Sequence, residues 1–425
     1  MRRSTRRQCR FGSPALLALL VGFQVDAVGD QWPQWRGPTR DGQWNGPTWP
    51  ERLTPAEPGA TAALRLAWRA GDLGPSYTGP IVSDYFIYTV ETRDKKAEVV
   101  TCFDRSTGER VWSTEWEGAM AVPFFAARNG SWVRSTPALD GDRLYVGGMR
   151  DVLCCLDART GVILWRADFM ERYRTPLPAF GFVSSPLIDG DAVYVQAGAS
   201  VVKLDKMTGE TIWRSLVDEG GMNGSAFASP IMAELCGVRQ LVVQSRTQLA
   251  GIDPRSGDVL WSAEIRAFRG MNILTPIVDG DTIFTATYGG RAQLLRIVKG
   301  EKVWAVERVW DNGAQGYMTS PVLIAGHVYY FTRSNRFTCL ELATGTIKWT
   351  SGPTGDEYWS LIAQGDRILA LSQDGDLSLI RANPEKFEII DRAELTNAET
   401  WAHLAVAGRQ VIVREQEGLS VYSWD

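Results

Sequence analysis

Short apolar runs broken by turn residues recur along the whole chain. The stretch Ser185-Pro186-Leu187-Ile188-Asp189-Gly190-Asp191-Ala192-Val193-Tyr194-Val195 shows the form: a brief strand, a tight turn, then a longer strand. An Asp-Gly pair supplies the positive φ that a two-residue hairpin needs. The same layout returns at 137–146, 276–284 and 321–331. A second pattern follows each: an apolar residue, Asp, two variable residues, Thr or Ser, Gly, three residues, Trp. It appears as Asp104, Thr107-Gly108, Trp112; as Asp157, Thr160-Gly161, Trp165; and as Asp205, Thr208-Gly209, Trp213. Asp253, Ser256-Gly257, Trp261 is a fourth copy, and Glu341, Thr344-Gly345, Trp349 another. Asp accepts hydrogen bonds from turn amides and Gly takes the left-handed position. Each unit therefore predicts four short antiparallel strands, with this turn between the third and fourth.

Gly300 and Trp304 mark a degenerate copy, Trp68 precedes them all, and Ile390 falls where one more Trp is expected. From Trp68 to Ile390 the mean interval is 46 residues. That period matches a four-stranded propeller blade. The prediction is all-β: an eight-bladed β-propeller of four-stranded antiparallel blades. Trp68, Trp112, Trp165, Trp213, Trp261, Trp304 and Trp349 are expected to dock each blade on the next. The stretch 401–424 holds only three strands, so the strand at 64–68 is expected to complete the last blade and close the circle, leaving no exposed edge. On this reading a chain cut just before Leu64 keeps its ring, and losing Trp68 opens it.

Residues 1–27 read as a signal peptide: a basic start from Arg2 to Arg10, an apolar run from Ala15 to Phe23, then small residues. Cys9 precedes that run, so it is not placed as the lipid-bearing Cys of a lipoprotein signal. Residues 28–63 form an N-terminal extension and 64–425 the propeller. No other stretch is apolar enough to span a bilayer. The chain is expected to be exported, periplasmic or secreted, and monomeric. The 425 residues carry a formal net charge of −4, which argues against nucleic acid as partner. Two His and six Cys leave little material for a metal centre.

The Asp-x-x-Thr-Gly-x-x-x-Trp repeats resemble the tryptophan-docking motif of the PQQ-like, or quinoprotein-like, β-propeller repeat family, over roughly 64–425. The opening Trp32-Pro33-Gln34-Trp35-Arg36-Gly37-Pro38 resembles the head of exported PQQ-like proteins of planctomycete-type bacteria. In size the chain is similar to the outer-membrane assembly lipoprotein BamB. The resemblance implies a non-catalytic binding or scaffold propeller of the cell envelope, which meets an envelope protein or a small ligand at the propeller face. The alternative it implies is a pyrroloquinoline-quinone-dependent oxidoreductase acting on alcohols or sugars, with calcium; a carbohydrate-binding propeller is a third. The scaffold reading is preferred, with no cofactor and no metal expected, because no Walker loop, nucleophile elbow or zinc-type His pair appears. Quinoprotein alcohol dehydrogenases stack a vicinal disulfide on the quinone, and Cys154-Cys155 is a vicinal pair. Its register, shared with Cys102 and Cys339, is that of a buried core position. The Asp-Gly-Asp triplets read as hairpin turns, not calcium loops.

The first strand of each blade lines a propeller's central channel. Aligned on its Pro, the preceding residues are Gly79, Thr136, Ser185, Ser229, Thr275, Ser320, Ser360 and His403. The hydroxyls are expected to satisfy neighbouring backbone groups. Two residues earlier stand Tyr77, Arg134, Val183, Phe227, Ile273, Met318, Tyr358 and Trp401. Period-two alternation puts both rows on one side. With Asn223, Asn272, Tyr317, Glu357 and Trp359 from the preceding loops, these rows make Tyr77, Arg134, Trp401 and His403 the candidate contacts at the channel mouth. Trp359 and Trp401 are singled out because neither holds the docking register. The longest loop, 121–134, adds Phe124, Phe125, Arg128 and Trp132. Such a mouth either holds a ligand or is the closed end of a packed ring.

Overall fold

The computed structural model describes Met1 and residues 30–55, 63–220 and 224–424. The signal-peptide reading and Asn223 fall outside these residues. Eight four-stranded antiparallel sheets form a ring. Blades one to seven cover 81–117, 138–168, 187–215, 231–264, 277–312, 322–350 and 359–394. The eighth combines Ala405–Ala407, Gln410–Arg414 and Leu419–Ser423 with Arg65–Ala70, which pairs antiparallel to Leu419–Ser423 as its outermost strand. The circle closes as the repeat count predicts.

Burial follows strand position. Second strands such as Ala192–Ala197 are buried on both faces, whereas an outermost strand such as Arg110–Glu117 is mostly exposed. The apolar cores therefore lie between blades. Cys154 packs with Tyr88 and Val146 on one side of its blade, and Cys155 with Tyr145 and Phe182 on the other. Both are free thiols whose side chains point into different cores, as alternation along a strand requires.

The tryptophans join blade to blade. Trp112 Nε1 donates to Ala158 O (3.1 Å), Trp165 to Lys206 O (3.1 Å), Trp213 to Pro254 O (3.3 Å) and Trp349 to Asn383 O (2.7 Å), each in the next blade's outer turn. Trp68 donates to Arg105 O (2.9 Å), linking blade eight to blade one. In that turn Asp104 Oδ1 accepts from the Ser106 hydroxyl (2.6 Å) and from the Thr107 and Ser106 amides (both 2.9 Å), which holds its carboxyl below the usual range. The turn glycine lies under the incoming indole: a Cβ on Gly161 would stand 2.4 Å from Trp112.

Three positions depart from the aligned pattern. In blade five the docking residue is Trp310, which donates to Leu342 O (2.8 Å) and covers Gly345. Trp310 pairs with Leu294 just before the strand bulge, the place Trp112 takes opposite Cys102. The hairpin there is longer, so Trp304 sits further back and packs into the core between blades four and five. Because that hairpin lacks the Asp and Thr-Gly turn, Trp261 finds no carbonyl there and donates to Gln240 Oε1 of its own blade (2.7 Å). In blade seven the register position belongs to Asp391, next to Ile390. Its carboxylate accepts from the Leu53 and Thr54 amides (2.8 and 2.9 Å).

Those amides belong to a strap, 30–55, that the repeat pattern treats as an appendage. It crosses the face opposite the blade-entry loops and runs into the channel. Trp32 bridges to Val82 in blade one, and Leu139 N of blade two donates to Pro33 O (2.7 Å). Arg40 donates to Pro186 O (2.7 Å) in blade three, Arg36 to Pro321 O beside blade six, and Trp44 N to Ala363 O (2.7 Å) in blade seven. Trp32, Trp44, Trp49 and Leu53 are buried in one core with blades one, seven and eight. This packing argues against the expectation that a cut before Leu64 spares the ring, because such a cut removes four buried apolar side chains from that core. Burying Arg36 and Arg40 without carboxylate contact lowers their pKa to about 10 and about 9.

Two outcomes follow for stability. Gly161→Ala and Gly141→Ala both place a Cβ at positive φ, but Gly141 has open space around it. Chemical denaturation is expected to show a loss of about 1 kcal/mol for Gly141→Ala and about 3 kcal/mol for Gly161→Ala, where the indole must also move. Equal losses would mean the indole contact is slack. A chain starting at residue 56 is expected to melt at least about 10 °C lower, since each buried Trp removed costs about 3–5 kcal/mol. An unchanged melting temperature would make the strap dispensable.

Candidate functional site at the channel mouth

The hydroxyl row forms a collar. Gly79 N donates to Thr136 Oγ1 (2.9 Å), Thr136 N to Ser185 Oγ (3.1 Å), Ser185 N to Ser229 Oγ (3.0 Å) and Thr275 N to Ser320 Oγ (3.1 Å). In these four blades the residue before the first strand's Pro donates from its backbone to the hydroxyl of the following blade. A hydroxyl fits because one small side chain accepts from a neighbouring backbone and leaves the channel room.

Above the collar opens a cavity of about 390 Å³. All eight residues of the second row line it: Tyr77, Arg134, Val183, Phe227, Ile273, Met318, Tyr358 and Trp401. Tyr317 and His403 line it too. Trp401 stacks on Tyr358 with ring centroids 6.0 Å apart and meets Tyr77 edge-on. The strap supplies the floor. Trp35 enters from the far side, donates from Nε1 to Thr275 Oγ1 (2.9 Å) and packs edge-on against the His403 ring at 5.1 Å.

The other named residues lie elsewhere. Trp359 is buried between blades six and seven against Phe331 and Phe337, away from the mouth. Its place beside the Ser360 of the collar puts it on the opposite face of the strand. Asn272 is buried and braces a hairpin, donating to Ser245 O and Arg246 O (3.0 and 2.9 Å). Glu357 sits at the rim of a neighbouring chamber and pairs with Arg128 at 3.5 Å, not with a second carboxylate. Among the contributors that went unnamed from the sequence are Phe180, Phe268, Arg269 and Tyr288. They come from connecting loops and a hairpin tip, where no repeat sets a register. Their only signal was an aromatic or cationic residue in a connecting segment.

His403 is the one imidazole at the site. It is 4% exposed, its Nδ1 lies 2.8 Å from Leu404 O, and its Nε2 has no partner. Burial, with the nearby Arg36 charge, holds its pKa down to about 3. The ring is therefore neutral, held between the Leu404 and Leu361 backbones. The unfolded imidazole takes a proton near pH 6.5 and the folded one does not. Stability is complete above that pH and falls as the pH drops toward 3. Relative to His403→Gln, the parent chain is expected to lose about 2 kcal/mol between pH 7.5 and pH 5. Its His403 ring signals should not titrate by NMR over that range; a midpoint above pH 5 would contradict a dry, neutral ring.

Among solved structures, BamB from Moraxella catarrhalis superposes with a TM-score of 0.60 at 17% identity, over 86% of this chain and 98% of that one. A quinohemoprotein alcohol dehydrogenase from Comamonas testosteroni gives 0.59 at 16% identity, over 92% and 80%. These likenesses establish the propeller and leave function open. By sequence, the outer membrane protein assembly factor BamB of Yersinia pestis is 24% identical over 300 residues, 64% of this chain and 69% of that protein. The family model described as outer membrane protein assembly factor BamB matches residues 95–351, more than half of the chain, and the protein belongs to that family.

Proposed function

We propose that the chain is an exported, non-catalytic scaffold propeller of the cell envelope, acting in outer-membrane protein assembly by holding a protein partner at the channel mouth. The observation that carries this reading is the chemistry of the mouth: aromatic and aliphatic walls, two guanidiniums, one neutral imidazole, and no carboxylate among the described lining residues. Family membership and the basic-then-apolar start of the chain support the envelope setting.

The same lining weighs against the oxidoreductase reading. Calcium takes six to eight oxygen ligands, carboxylates foremost. The mouth offers no Asp or Glu, and among the described residues no three His, Cys, Asp or Glu converge as a metal site. A quinone held with calcium does not fit these side chains. A general base works best with a pKa near the working pH. His403, at about 3, is too weak to hold an abstracted proton near neutrality.

A photo-crosslinking residue in place of Phe124, 91% exposed beside the mouth, tests the proposal in envelopes of the native host. The expected product joins the chain to a component of the outer-membrane assembly machinery, and the same probe at Val303, in the outer hairpin turn of blade five, gives none. Dye-linked alcohol oxidation by purified protein with added quinone and calcium would overturn the non-catalytic reading.

A further inference from the structure

The mouth has a charge pattern as well as a shape. Arg134 and Arg269 are its charged residues, and among the described residues no ion pair holds either of them. Both guanidiniums lie on aromatic faces. Arg134 sits 4.7 Å from the Tyr77 centroid and 5.7 Å from that of Phe180; Arg269 sits 4.8 Å from Phe125 and 5.2 Å from Phe268. A stacked guanidinium is held in place by its face and keeps its N–H edge for a carboxylate. Arg134 donates one long bond, to Gly130 O at 3.2 Å, and its Nε is buried without a partner. The site thus holds two preset cations, unpaired, in aromatic surroundings.

A second chamber adjoins the cavity across a shared rim, where the Tyr77 hydroxyl donates to Asn129 O and its ring packs edge-on against Trp401. Asn129 and Trp401 border both the cavity and this chamber of about 980 Å³, between the 119–132 loop and blades seven and eight. That chamber carries Glu399 and Glu417 on its wall together with Lys95 and the Arg128–Glu357 pair, and Glu399 accepts from Trp401 Nε1 (3.0 Å). The two spaces lie side by side, the first cationic and aromatic, the second holding one more carboxylate than cations. A compact small molecule would fill the first space only. An extended chain uses both.

We propose that the mouth takes an extended peptide segment of a protein partner, with an aromatic side chain seated in the cavity and a neighbouring Asp or Glu against Arg134 and Arg269. The segment leaves past Trp401 into the side chamber, where Glu399 and Glu417 favour a basic residue. This rests on the scaffold reading and names the partner's chemistry. Aromatic rings in the walls meet the incoming ring edge-on or offset, and charge-assisted bonds to the two guanidiniums set its direction.

Fluorescence anisotropy on the full chain tests this with labelled ten-residue peptides containing Asp-Phe-Asp, Asp-Ala-Asp or Lys-Phe-Lys, each with a Lys three residues downstream. The first is expected to bind saturably and the other two at least about tenfold more weakly. Arg269→Gln is expected to weaken the first about tenfold with an unchanged melting temperature, and Arg134→Gln to do the same. Equal binding of the three peptides, or no binding, would overturn the proposal. So would indole-3-acetate competing as tightly as the peptide, since that assigns the cavity to a small aromatic acid. Failure here with crosslinking from Phe124 intact leaves the scaffold reading standing. Peptide binding with no envelope crosslink removes the assembly role and keeps the peptide site.

Discussion

The structure depends on one contact: an indole laid over a glycine that only a left-handed backbone can present. The Thr-Gly turn exposes a bare Cα surface and a free carbonyl, and the Trp of the preceding blade covers the first and donates to the second. Geometry is set at both ends, by the Asp that ties the turn amides and by the strand bulge beside the Trp. Five of the eight blade junctions, those of Trp68, Trp112, Trp165, Trp213 and Trp310, are built this way, and they set the angle at which the ring closes. The hydroxyl collar repeats the device at small radius, with backbone amides meeting a neighbour's Ser or Thr. Outer and inner rims are each fixed by one bond type used over and over.

That repetition explains what could be read from sequence. A period carries register, so the row from Tyr77 to Trp401 was legible as the channel lining although its side chains share no chemistry. The docking tryptophans were legible for the same reason, except where the hairpin changed length. In blade five Trp304 keeps the expected spacing, yet Trp310 keeps the expected pairing, and pairing is what places a side chain. Asp391 shows the same point: one position from Ile390, it has traded the indole for a carboxylate because the surface it faces is the strap. Phe180, Phe268 and Arg269 lie on loops whose lengths differ from blade to blade. Their convergence is set by the ring, and nothing local encodes it.

The strap is the feature most foreign to a repeat. It breaks the symmetry of the channel, filling one end with Trp35 and two buried guanidiniums and leaving the other as a blind cup. A through-channel would be wet along its length. A floored one gives the mouth a dry base, which is why His403 is neutral and why a ring entering from above meets apolar surface.

Sequence separation adds a kinetic side to the strap. Trp35 bonds a residue 240 positions away, Arg36 one 285 away and Trp49 one 315 away. Contacts of such range raise the contact order, and loop-closure entropy must be overcome before they contribute. The first described residues of the chain thus wait for blades five to seven before their aromatic side chains are covered. Until then Trp32, Trp44 and Trp49 are exposed apolar surface, the kind that draws chaperones or aggregates. Once seated they work in the other direction. Opening one blade does not free the strap, because it is held at several others, so escape from the native state requires many contacts to break together. Slow assembly and long native lifetime come from the same segment.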